Sequence, residues 1–342
     1  MSDEGSSVSS IRFQYNGVIG NGCISWDAHS CVPLLASYRL ETLHRHRDAG
    51  FDYVSINVGM DANPTSQIIE VIASFREQIE QIPNIRFADT LSDVRSAGAH
   101  GQLAVGFDLE GAVPLAGDPK NVELFHELGV RQMHFAYNRR NEVAGGCYEP
   151  DAPLTKLGLE VLLACEEVGV IVDCSHLNER SALAICDAAE KPTVFSHSNV
   201  RALNNNLRNV TDEMIAACAA TDGVIGVTGL SNFTPGKRAE ADAMVEVIDY
   251  LCERVDIRHV GVGLDYVYDV ELDELPEDCD PAYWWPLEHG YGEDFYKCSK
   301  FTPPEAAVQL RECLKSRGYA DVEVDGIMGQ NFYRVAEACW QT

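Results

Sequence analysis

Short apolar runs alternate with segments of helical periodicity along most of this chain of 342 residues. Eight of the runs have the composition and length of buried β-strands: Cys23–Trp26, Tyr53–Val58, Leu103–Asp108, Arg131–Ala136, Val168–Asp173, Thr193–Phe195, Val224–Val227 and Val260–Gly263. Strands that alternate with helices pair in parallel, because each helix carries the chain back across the sheet. Eight such units in about 250 residues predict a closed (β/α)8 TIM barrel of the α/β class rather than an open sheet.

The segments between and after these strands have the spacing of amphipathic helices. They span Ser37–Ala49, Ser66–Glu80, Leu91–Ala99, Asn121–Leu128, Leu157–Val168, Glu179–Ala189, Asp212–Ala220 and Arg238–Val255. Polar residues followed by acids mark helix starts at Asn178 and Thr211. No internal repeat, low-complexity tract or linker interrupts the pattern. Residues 1–342 are therefore predicted to form a single barrel domain.

Two segments near the C-terminus add to this barrel. A long acidic and aromatic loop is predicted at 266–301, and further helices are predicted at 303–338. A loop of that length in a compact domain is usually functional. Because it would leave the barrel on its catalytic face, it is interpreted as a lid or pocket wall, with a structural cover or a dimer contact as the alternatives.

The composition predicts a cytoplasmic protein. Apolar residues make up 46% of the chain, and no run of about 18 of them could form a membrane span. The N-terminal residues are acidic and small, unlike a signal peptide. The twelve cysteines are scattered without any C-x-x-C pair, which favours reduced core thiols over disulfides.

The net charge of −27 argues against nucleic acid or an anionic membrane surface as a partner, since both would be repelled. Two explanations of the charge remain open. It fits a well-solvated surface in a salty cytoplasm, and it also fits a cleft that attracts cationic substrates.

Ionisable side chains stand at the ends of five of the predicted strands. They are His29, Glu110, His176, His197 and Asp265. Active sites of eight-stranded barrels gather where the carboxyl ends of the strands meet the following loops. Imidazoles and carboxylates that converge there are suitable ligands for a hydrolytic zinc site with a position left open for water. A single strand-end histidine is usually structural, so it is the joint occurrence of five such groups that favours a metal site.

The order of several motifs resembles that of the membrane (renal-type) dipeptidases, zinc enzymes of the peptidase M19-like amidohydrolase barrels. The resemblance runs from about Trp26 to the C-terminus. Its motifs are Leu109–Gly111, Val172–His176, Phe195–Ser198, Leu207–Val210 and Gly261–Asp265. The 21-residue step from His176 to His197 also matches the family's pattern. The resemblance implies a metal-dependent hydrolase barrel.

The resemblance also implies a role for individual residues. Glu110 would bridge two zinc ions. His176 and His197 would hold one ion, and His29 the other. Arg208 would pair with a substrate carboxylate, for which a planar guanidinium is well shaped; a surface ion pair is the structural alternative for this arginine.

Two further residues would act on the substrate. By resemblance, Asp265 would contact the substrate amine and move a proton during hydrolysis, although it could simply cap its loop. Tyr137 stands where the family has a histidine that polarises the substrate carbonyl. A phenol can donate a hydrogen bond to a developing oxyanion, so this role could survive or be lost. Strand alternation predicts that His134 lies on the face opposite to Tyr137, and it is not assigned to the site.

The first metal motif departs from the family's pattern. The family has His-x-Asp, whereas this chain has His29-Ser30-Cys31. A thiolate is a good but softer zinc ligand, so Cys31 could keep that ion bound or could leave its position empty. The segment 138–150 also resembles a divergent branch of these dipeptidase-like proteins, whose members tend to lose the first motif. The chain therefore lies between the two groups.

Three functional hypotheses follow. The first is a zinc-dependent dipeptidase-type hydrolase with one or two ions, which cleaves an amide bond by metal-activated water. Asp265 and Tyr137 would be its catalytic residues, and Arg208 and Tyr137 would bind the substrate. The second is a hydrolase of a non-peptide small amide or lactone, cationic or N-methylated, that is selected by cation–π contacts with the aromatic loop. The third is a binding protein that has kept the barrel without its catalysis. The first two imply a small-molecule substrate, and a homodimer is compatible with the resemblance.

Overall fold

A computed structural model describes residues 23–269, 275–276, 279–289, 291 and 299–340. Predictions for residues 1–22 and for the remaining parts of the 266–301 loop lie outside the described residues. Within the described part, ten strands form one sheet. They are β1 (Trp26–Cys31), β2 (Tyr53–Met60), β3 (Ile85–Phe87), β4 (Leu103–Glu110), β5 (Val130–His134), β6 (Ile171–Asp173), β7 (Thr193–Phe195), β8 (Val224–Val227), β9 (Val260–Val262) and β10 (Tyr266–Val267).

The sheet is parallel and its path returns to the first strand. Its order is β10-β1-β2-β4-β5-β6-β7-β8-β9, with β3 paired to β4. β10 follows β9 after only three residues and pairs with β1, where Ser30 is opposite Tyr266. The last strand of the path is therefore continuous with the first, which closes the barrel. The predicted (β/α)8 TIM-barrel fold is confirmed.

Helices follow the strands and cover the outside of the barrel. They are α1 (His44–Asp48), α2 (Thr65–Gln81), α3 (Leu91–Ala99), α4 (Asn121–Glu127), α5 (Lys156–Val168), α6 (Glu179–Ala188), α7 (Asp212–Ala220), α8 (Ala241–Cys252), α9 (Pro281–Trp284), α10 (Ala307–Arg317), α11 (Asp321–Asp325) and α12 (Asn331–Cys339). A π-helical turn, Gly326–Gln330, joins α11 to α12. The helices of the barrel bury one apolar stripe each against the strands, as their periodicity predicts.

Two helices begin at the residues that the sequence marks as starts. The Asn178 side chain accepts a hydrogen bond from the backbone N–H of Ser181, and the Thr211 side chain accepts one from Met214. Each cap satisfies a backbone donor that the first turn of a helix leaves without a partner. These caps fix where the chain leaves the strand-end loops.

The first strand differs from its predicted position. The apolar run Cys23–Trp26 predicts a strand that stops before His29, whereas β1 spans Trp26–Cys31. In this strand His29 faces Glu110 inside the barrel and Asp27 contacts His46 of α1, and all residues up to Ser30 are buried. A buried strand lined with polar groups lacks the apolar composition by which strands are recognised. His29 and Cys31 therefore lie within the strand itself.

Aromatic side chains fill the barrel at the amino ends of the strands. Trp26 stacks on Tyr53 with ring centroids 3.7 Å apart, and Trp340 lies 5.7 Å from Trp26. Phe332 of α12 is fully buried against the same cluster. This end of the barrel is closed by packing, so a site can form only at the opposite end, where the strands finish.

None of the helices in the described part of the chain has the length and apolar character that a bilayer span requires. The cysteines among the described residues form no disulfide, as their spacing predicts. Several of them, such as Cys165 and Cys218, are buried between helices and strands and pack as small apolar residues.

Candidate metal centre

Four imidazoles surround one oxygen of a buried carboxylate at the carboxyl end of the barrel. Glu110 is the last residue of β4, and its Oε1 lies 2.9 Å from Nε2 of His176. The same oxygen lies 3.5 Å from Nε2 of His29 and 3.5 Å from Nε2 of His197. Nδ1 of His134 lies 3.8 Å from it. The barrel thus brings together the four predicted ligands and one histidine that the sequence did not assign.

Carboxylates bind the outer nitrogen of two of these rings, on the side away from Glu110. Nδ1 of His29 lies 3.1 Å from Oδ1 of Asp108, and Nε2 of His134 lies 2.6 Å from Oδ2 of Asp173. Burial raises the pKa of Asp173, but His134 and hydrogen bonds from neighbouring groups outweigh it and hold the pKa at about 2. An ionised carboxylate only accepts hydrogen bonds. The outer nitrogen of such a ring is therefore the donor, and the inner nitrogen is directed at Glu110.

Uncharged groups hold the other two rings. Nδ1 of His176 lies 2.8 Å from Oδ1 of Asn138, and Nδ1 of His197 lies 2.7 Å from Oγ of Ser196. Burial lowers the pKa of both histidines well below the usual value, and nearby cations lower it further. Their inner nitrogens are only 2.9 Å apart, so they can share at most one hydrogen. Two neutral imidazoles in this arrangement offer lone pairs to one cation.

Glu110 is held by its second oxygen. Oε2 accepts a hydrogen bond of 2.6 Å from Nδ2 of Asn57 on β2, which leaves Oε1 towards the imidazoles. Burial raises the pKa of Glu110 to about 7. The next residue, Gly111, has a φ of +135°, a conformation that disfavours side chains. The chain can therefore turn away from the site directly after Glu110.

A second group of ligand atoms lies beside the first and shares His29. Sγ of Cys31 is 3.4 Å from Nε2 of His29, and Oδ1 of Asp265 is 3.9 Å from the same nitrogen. Burial raises the pKa of the Cys31 thiol, and burial also raises the pKa of Asp265 to about 6. The pKa of His29 is raised despite its burial, because Asp108, Cys31 and Glu110 favour its charged form. A cation at this position would favour the deprotonated forms of all these groups.

Arg208 lies on the wall of the pocket next to this centre. It is 4% exposed. One of its nitrogens donates to the backbone oxygen of His197 at 3.2 Å, and another lies 3.4 Å from Oγ of Ser198. Within the described residues no carboxylate lies within 4.0 Å of the guanidinium, and Nε has no hydrogen-bond partner. A buried cation without an anionic partner is well suited to bind an anionic ligand.

Tyr137 lies on the same wall, above His176, and their ring centroids are 4.4 Å apart. Its hydroxyl accepts a hydrogen bond of 3.1 Å from Nε1 of Trp285. Its backbone N–H donates to Asp61 at 3.0 Å. The prediction that His134 faces away from Tyr137 is wrong. β5 ends at His134, so strand alternation does not extend to Tyr137, and both side chains face the site.

Three of these residues have left-handed backbone conformations. The φ angles are +57° for Asn138, +67° for His176 and +53° for Asp265. Non-glycine residues adopt this region uncommonly, and they do so where surrounding structure holds them there. In each case the strand has just ended, and the turn directs the side chain towards the centre. The site is therefore shaped by strained turns as well as by strand ends.

The pocket over the centre has an aromatic and aliphatic wall. Its lining includes Val32, Leu34, Met60, Leu230, Phe233, Val267, Trp285, Tyr291 and Phe301 together with Cys31, Asn57, Glu110, Tyr137, Asn138, His176, Arg208 and Asp265. Four of these residues belong to the loop predicted at 266–301. The interpretation of this loop as a pocket wall therefore agrees with the residues of it that the structure describes.

The groups that hold these side chains in place were not predicted from the sequence. Asp108 stands two residues before Glu110 on β4 and Asp173 stands three residues before His176, so both could have been found as second polar residues in the same motifs. Asn57 follows an apolar run in β2. A buried polar side chain inside such a strand is itself a signal, because it needs a partner within the barrel.

Comparison with known proteins gives a family-level match. The model of the membrane dipeptidase family (peptidase family M19) matches residues 44–277. An uncharacterized protein in the PQQ-III 3′ region of Acinetobacter calcoaceticus is 30% identical over 184 residues, which are 50% of this chain and 58% of that protein. Dipeptidase aclJ of Aspergillus oryzae is 26% identical over 236 residues, 64% of this chain and 56% of its own length. The matched region is thus less than two thirds of either relative.

Solved structures show the same fold. An amidohydrolase from Pseudomonas aeruginosa has a TM-score of 0.80 and 23% identity, with 93% of this chain and 97% of that chain covered. A metallo peptidase from Rhodobacter sphaeroides, liganded with a phosphinate mimic of the dipeptide L-Ala-D-Ala, has a TM-score of 0.73 and 20% identity, with 93% and 99% covered. At these identities the likeness supports the barrel architecture.

Proposed function

Because this chain belongs to the membrane dipeptidase family, we propose that it is a zinc-dependent hydrolase of the dipeptidase type. Its substrate would be a dipeptide or a related small molecule with an amide bond. The observation that carries this proposal is the convergence of inner imidazole nitrogens on Oε1 of Glu110, all within 3.8 Å. Buried polar groups in such number are costly unless they serve a ligand.

The donor set fits a zinc ion. Neutral imidazoles and a carboxylate are ligands that zinc prefers, and the paired nitrogens of His176 and His197 supply two of them 2.9 Å apart. We propose that Glu110, His176 and His197 hold one ion, and that His29, Cys31 and Asp265 offer a second position. When bound, zinc supplies a Lewis acid and lowers the pKa of water at the site.

Substrate orientation is assigned to Arg208. Its guanidinium is buried at the pocket wall without a carboxylate partner among the described residues. A substrate carboxylate would therefore be its anionic partner. A planar guanidinium can form two parallel hydrogen bonds to a carboxylate. This contact would hold the C-terminal end of a dipeptide and align its amide bond with the centre.

Proton transfer is assigned to Asp265. It lines the pocket, and its Oδ1 lies 3.9 Å from Nε2 of His29. A carboxylate at this position can take a proton from water and give it to the leaving amine. Its left-handed backbone directs it into the pocket beside His29.

Stabilisation of the developing oxyanion is assigned to Tyr137. Tyr137 lines the pocket, and its hydroxyl accepts a hydrogen bond from the Trp285 N–H. A phenol carries one O–H, which is a suitable donor to a developing oxyanion. The phenol of Tyr137 would thus stabilise the oxyanion, a role that an imidazole has at the matching position in the family.

A hydrolysis assay tests this proposal. Metal-free protein, zinc-reconstituted protein and zinc-reconstituted Glu110→Gln should be compared on unmodified dipeptides. The proposal expects turnover only for the zinc-reconstituted wild type, with Glu110→Gln at least about 100-fold slower. Equal rates with and without zinc, or no turnover of any dipeptide, would contradict it.

A second candidate function is favoured by the aromatic wall. Tyr137, Trp285, Tyr291 and Phe233 lie around a pocket that also contains two carboxylates. Such a wall can bind a cationic or N-methylated group through cation–π contacts. A panel of small N-methylated amides and lactones would separate the two functions. Faster turnover of these compounds than of dipeptides would favour the second, and binding of ligands without any turnover would favour a barrel that has lost its catalysis.

A cytoplasmic location remains part of the proposal. It is supported by the cysteines of the described residues, which form no disulfide, since partly buried thiols persist in a reducing compartment. Fractionation of the native source with a thiol-trapping reagent would test it, and recovery of oxidised, disulfide-linked protein outside the cell would contradict it.

A further inference from the structure

His134 is the one imidazole of the cluster to which the motif pattern gives no role. Its side chain is fully buried. Its Nδ1 has no hydrogen-bond partner among the described residues and lies 3.8 Å from Oε1 of Glu110. A buried polar atom without a partner destabilises the folded state. Such an atom at the edge of a ligand cluster therefore calls for an explanation.

The surroundings of His134 fix which nitrogen faces inwards. His134 on β5 is opposite Asp173 on β6 in the sheet register, and Oδ2 of Asp173 lies 2.6 Å from Nε2 of the imidazole. The same carboxylate accepts hydrogen bonds from the backbone N–H groups of Ser175 and Ser196. Because these donors hold Asp173 as an acceptor, the Nε2 atom of His134 carries the hydrogen, and a neutral ring has its lone pair on Nδ1.

The position of this lone pair suits coordination. Ligand atoms of His29, Glu110, His134 and His197 all lie within 4.8 Å of one another. Two ligands on one tetrahedral zinc, each about 2.0–2.1 Å from it, stand roughly 3.3 Å apart. The separation of 3.8 Å between Nδ1 and Oε1 of Glu110 therefore needs only a small side-chain adjustment.

The arrangement around His134 also repeats one that surrounds a predicted ligand. Asp108 lies behind His29 as Asp173 lies behind His134, and in both cases the opposite nitrogen faces Oε1 of Glu110. A carboxylate behind a histidine is the usual support for an imidazole that binds a metal, since it fixes the ring and raises its basicity.

We propose that His134 is an additional ligand of the metal centre and coordinates, through Nδ1, the ion that lies between His29 and Glu110. This inference rests on the proposed metal-dependent function. It also accounts for the departure at Cys31, because an imidazole on β5 supplies a donor to a centre whose first motif has lost a carboxylate. The centre would then contain four histidines, three of them assigned by the motif pattern and the fourth by geometry alone.

Zinc affinity of the full-length protein tests this ligand without any activity assay. His134→Gln keeps an amide donor for Asp173 but removes the imidazole lone pair, and His259→Gln is the matched control. His259 is a buried histidine at the amino end of the barrel that bonds the backbone oxygen of Gly223. We expect His134→Gln to weaken zinc binding about tenfold or more relative to the control. A smaller change than that would overturn the inference, and absence of zinc binding by the wild type would overturn the metal centre as well.

A second measurement does not depend on the folding of the variant. Wild-type protein with ¹⁵N-labelled histidine can be loaded with ¹¹³Cd²⁺, and one-bond cadmium–nitrogen couplings then identify each imidazole that binds the ion. Four coupled imidazoles are expected if His134 is a ligand. Three coupled imidazoles would overturn the inference and leave the predicted centre intact, whereas no coupling at all would overturn both.

Discussion

Oδ1 of Asp108 lies 3.1 Å from Nδ1 of His29, and the opposite nitrogen of that ring faces Glu110. Asp108 and Glu110 belong to the same strand, two residues apart, so both side chains point into the barrel. A single strand therefore supplies one proposed ligand, Glu110, and the support of another, His29. The spacing of Asp108 and Glu110 along β4 therefore sets part of the geometry of the centre.

Asp108→Asn should weaken zinc binding by about 10–100-fold, because the amide is a poorer acceptor than the carboxylate and leaves His29 less basic. Zinc affinity by competition with a chelating dye is the measurement. Asp52→Asn is the control, since Asp52 is a buried aspartate that accepts from the backbone of Ser25 outside the centre. An unchanged affinity for Asp108→Asn would contradict the supporting role.

Arg208→Lys should lower kcat/KM for dipeptides by about 10–100-fold, which corresponds to the roughly 1.5–3 kcal/mol of a hydrogen bond to a charged group. Lysine keeps the charge but cannot form the paired contact with a carboxylate. The matched test is the same dipeptide with a C-terminal carboxamide. On that substrate the variant and the wild type should differ by less than about threefold, and equal losses on both substrates would rule out a carboxylate contact.

The stability of the metal-free protein should depend on Glu110 in a defined pH range. Burial raises the pKa of this carboxyl from 4.5 to about 7. The folded state therefore holds the proton more tightly than the unfolded state, and the contribution of Glu110 to stability falls as the pH rises from about 4.5 to 7. Glu110→Gln removes this titration.

Chemical unfolding of both metal-free proteins at pH 5 and pH 8 measures this effect. From pH 5 to pH 8, the unfolding free energy of Glu110→Gln should rise relative to that of the wild type by on the order of 1–3 kcal/mol. A difference that stays constant, or that shifts towards the wild type, would contradict the raised pKa.

Cys31 should be detectable as a ligand of the second ion. Protein loaded with two equivalents of Co²⁺ should show a thiolate-to-cobalt charge-transfer band, because a coordinated cysteine is deprotonated. Cys31→Ser should lose the band, and Cys252→Ser, a partly buried cysteine on α8, should keep it. A band that survives in Cys31→Ser would assign the thiolate to another residue.

The sequence was sufficient to predict the barrel and much of its centre. Alternating apolar runs predict the parallel sheet, and His176 and His197 follow two short strands closely enough that their meeting could be expected. Two strands of the sheet could not be predicted, because they are too short. β10 has only two residues, Tyr266 and Val267, which is too short for a periodic signal. β3, Ile85–Phe87, has only three residues.

His134 could not be assigned from the sequence for a different reason. Strand alternation applies only while the strand continues, and β5 stops at His134. Beyond it, the left-handed turn at Asn138 returns the chain to the site. A histidine inside an apolar run is usually a core residue that has found a hydrogen bond, so only the position of its second nitrogen reveals its use.

The metal content of the purified protein tests the central claim most directly. After dialysis against zinc and removal of loosely bound ions, elemental analysis should find one or two zinc ions per chain, and His176→Ala/His197→Ala should lose at least one of them while it remains folded by circular dichroism. Wild-type protein that retains no zinc, or a double variant that retains as much as the wild type, would contradict a metal centre at the carboxyl end of this barrel.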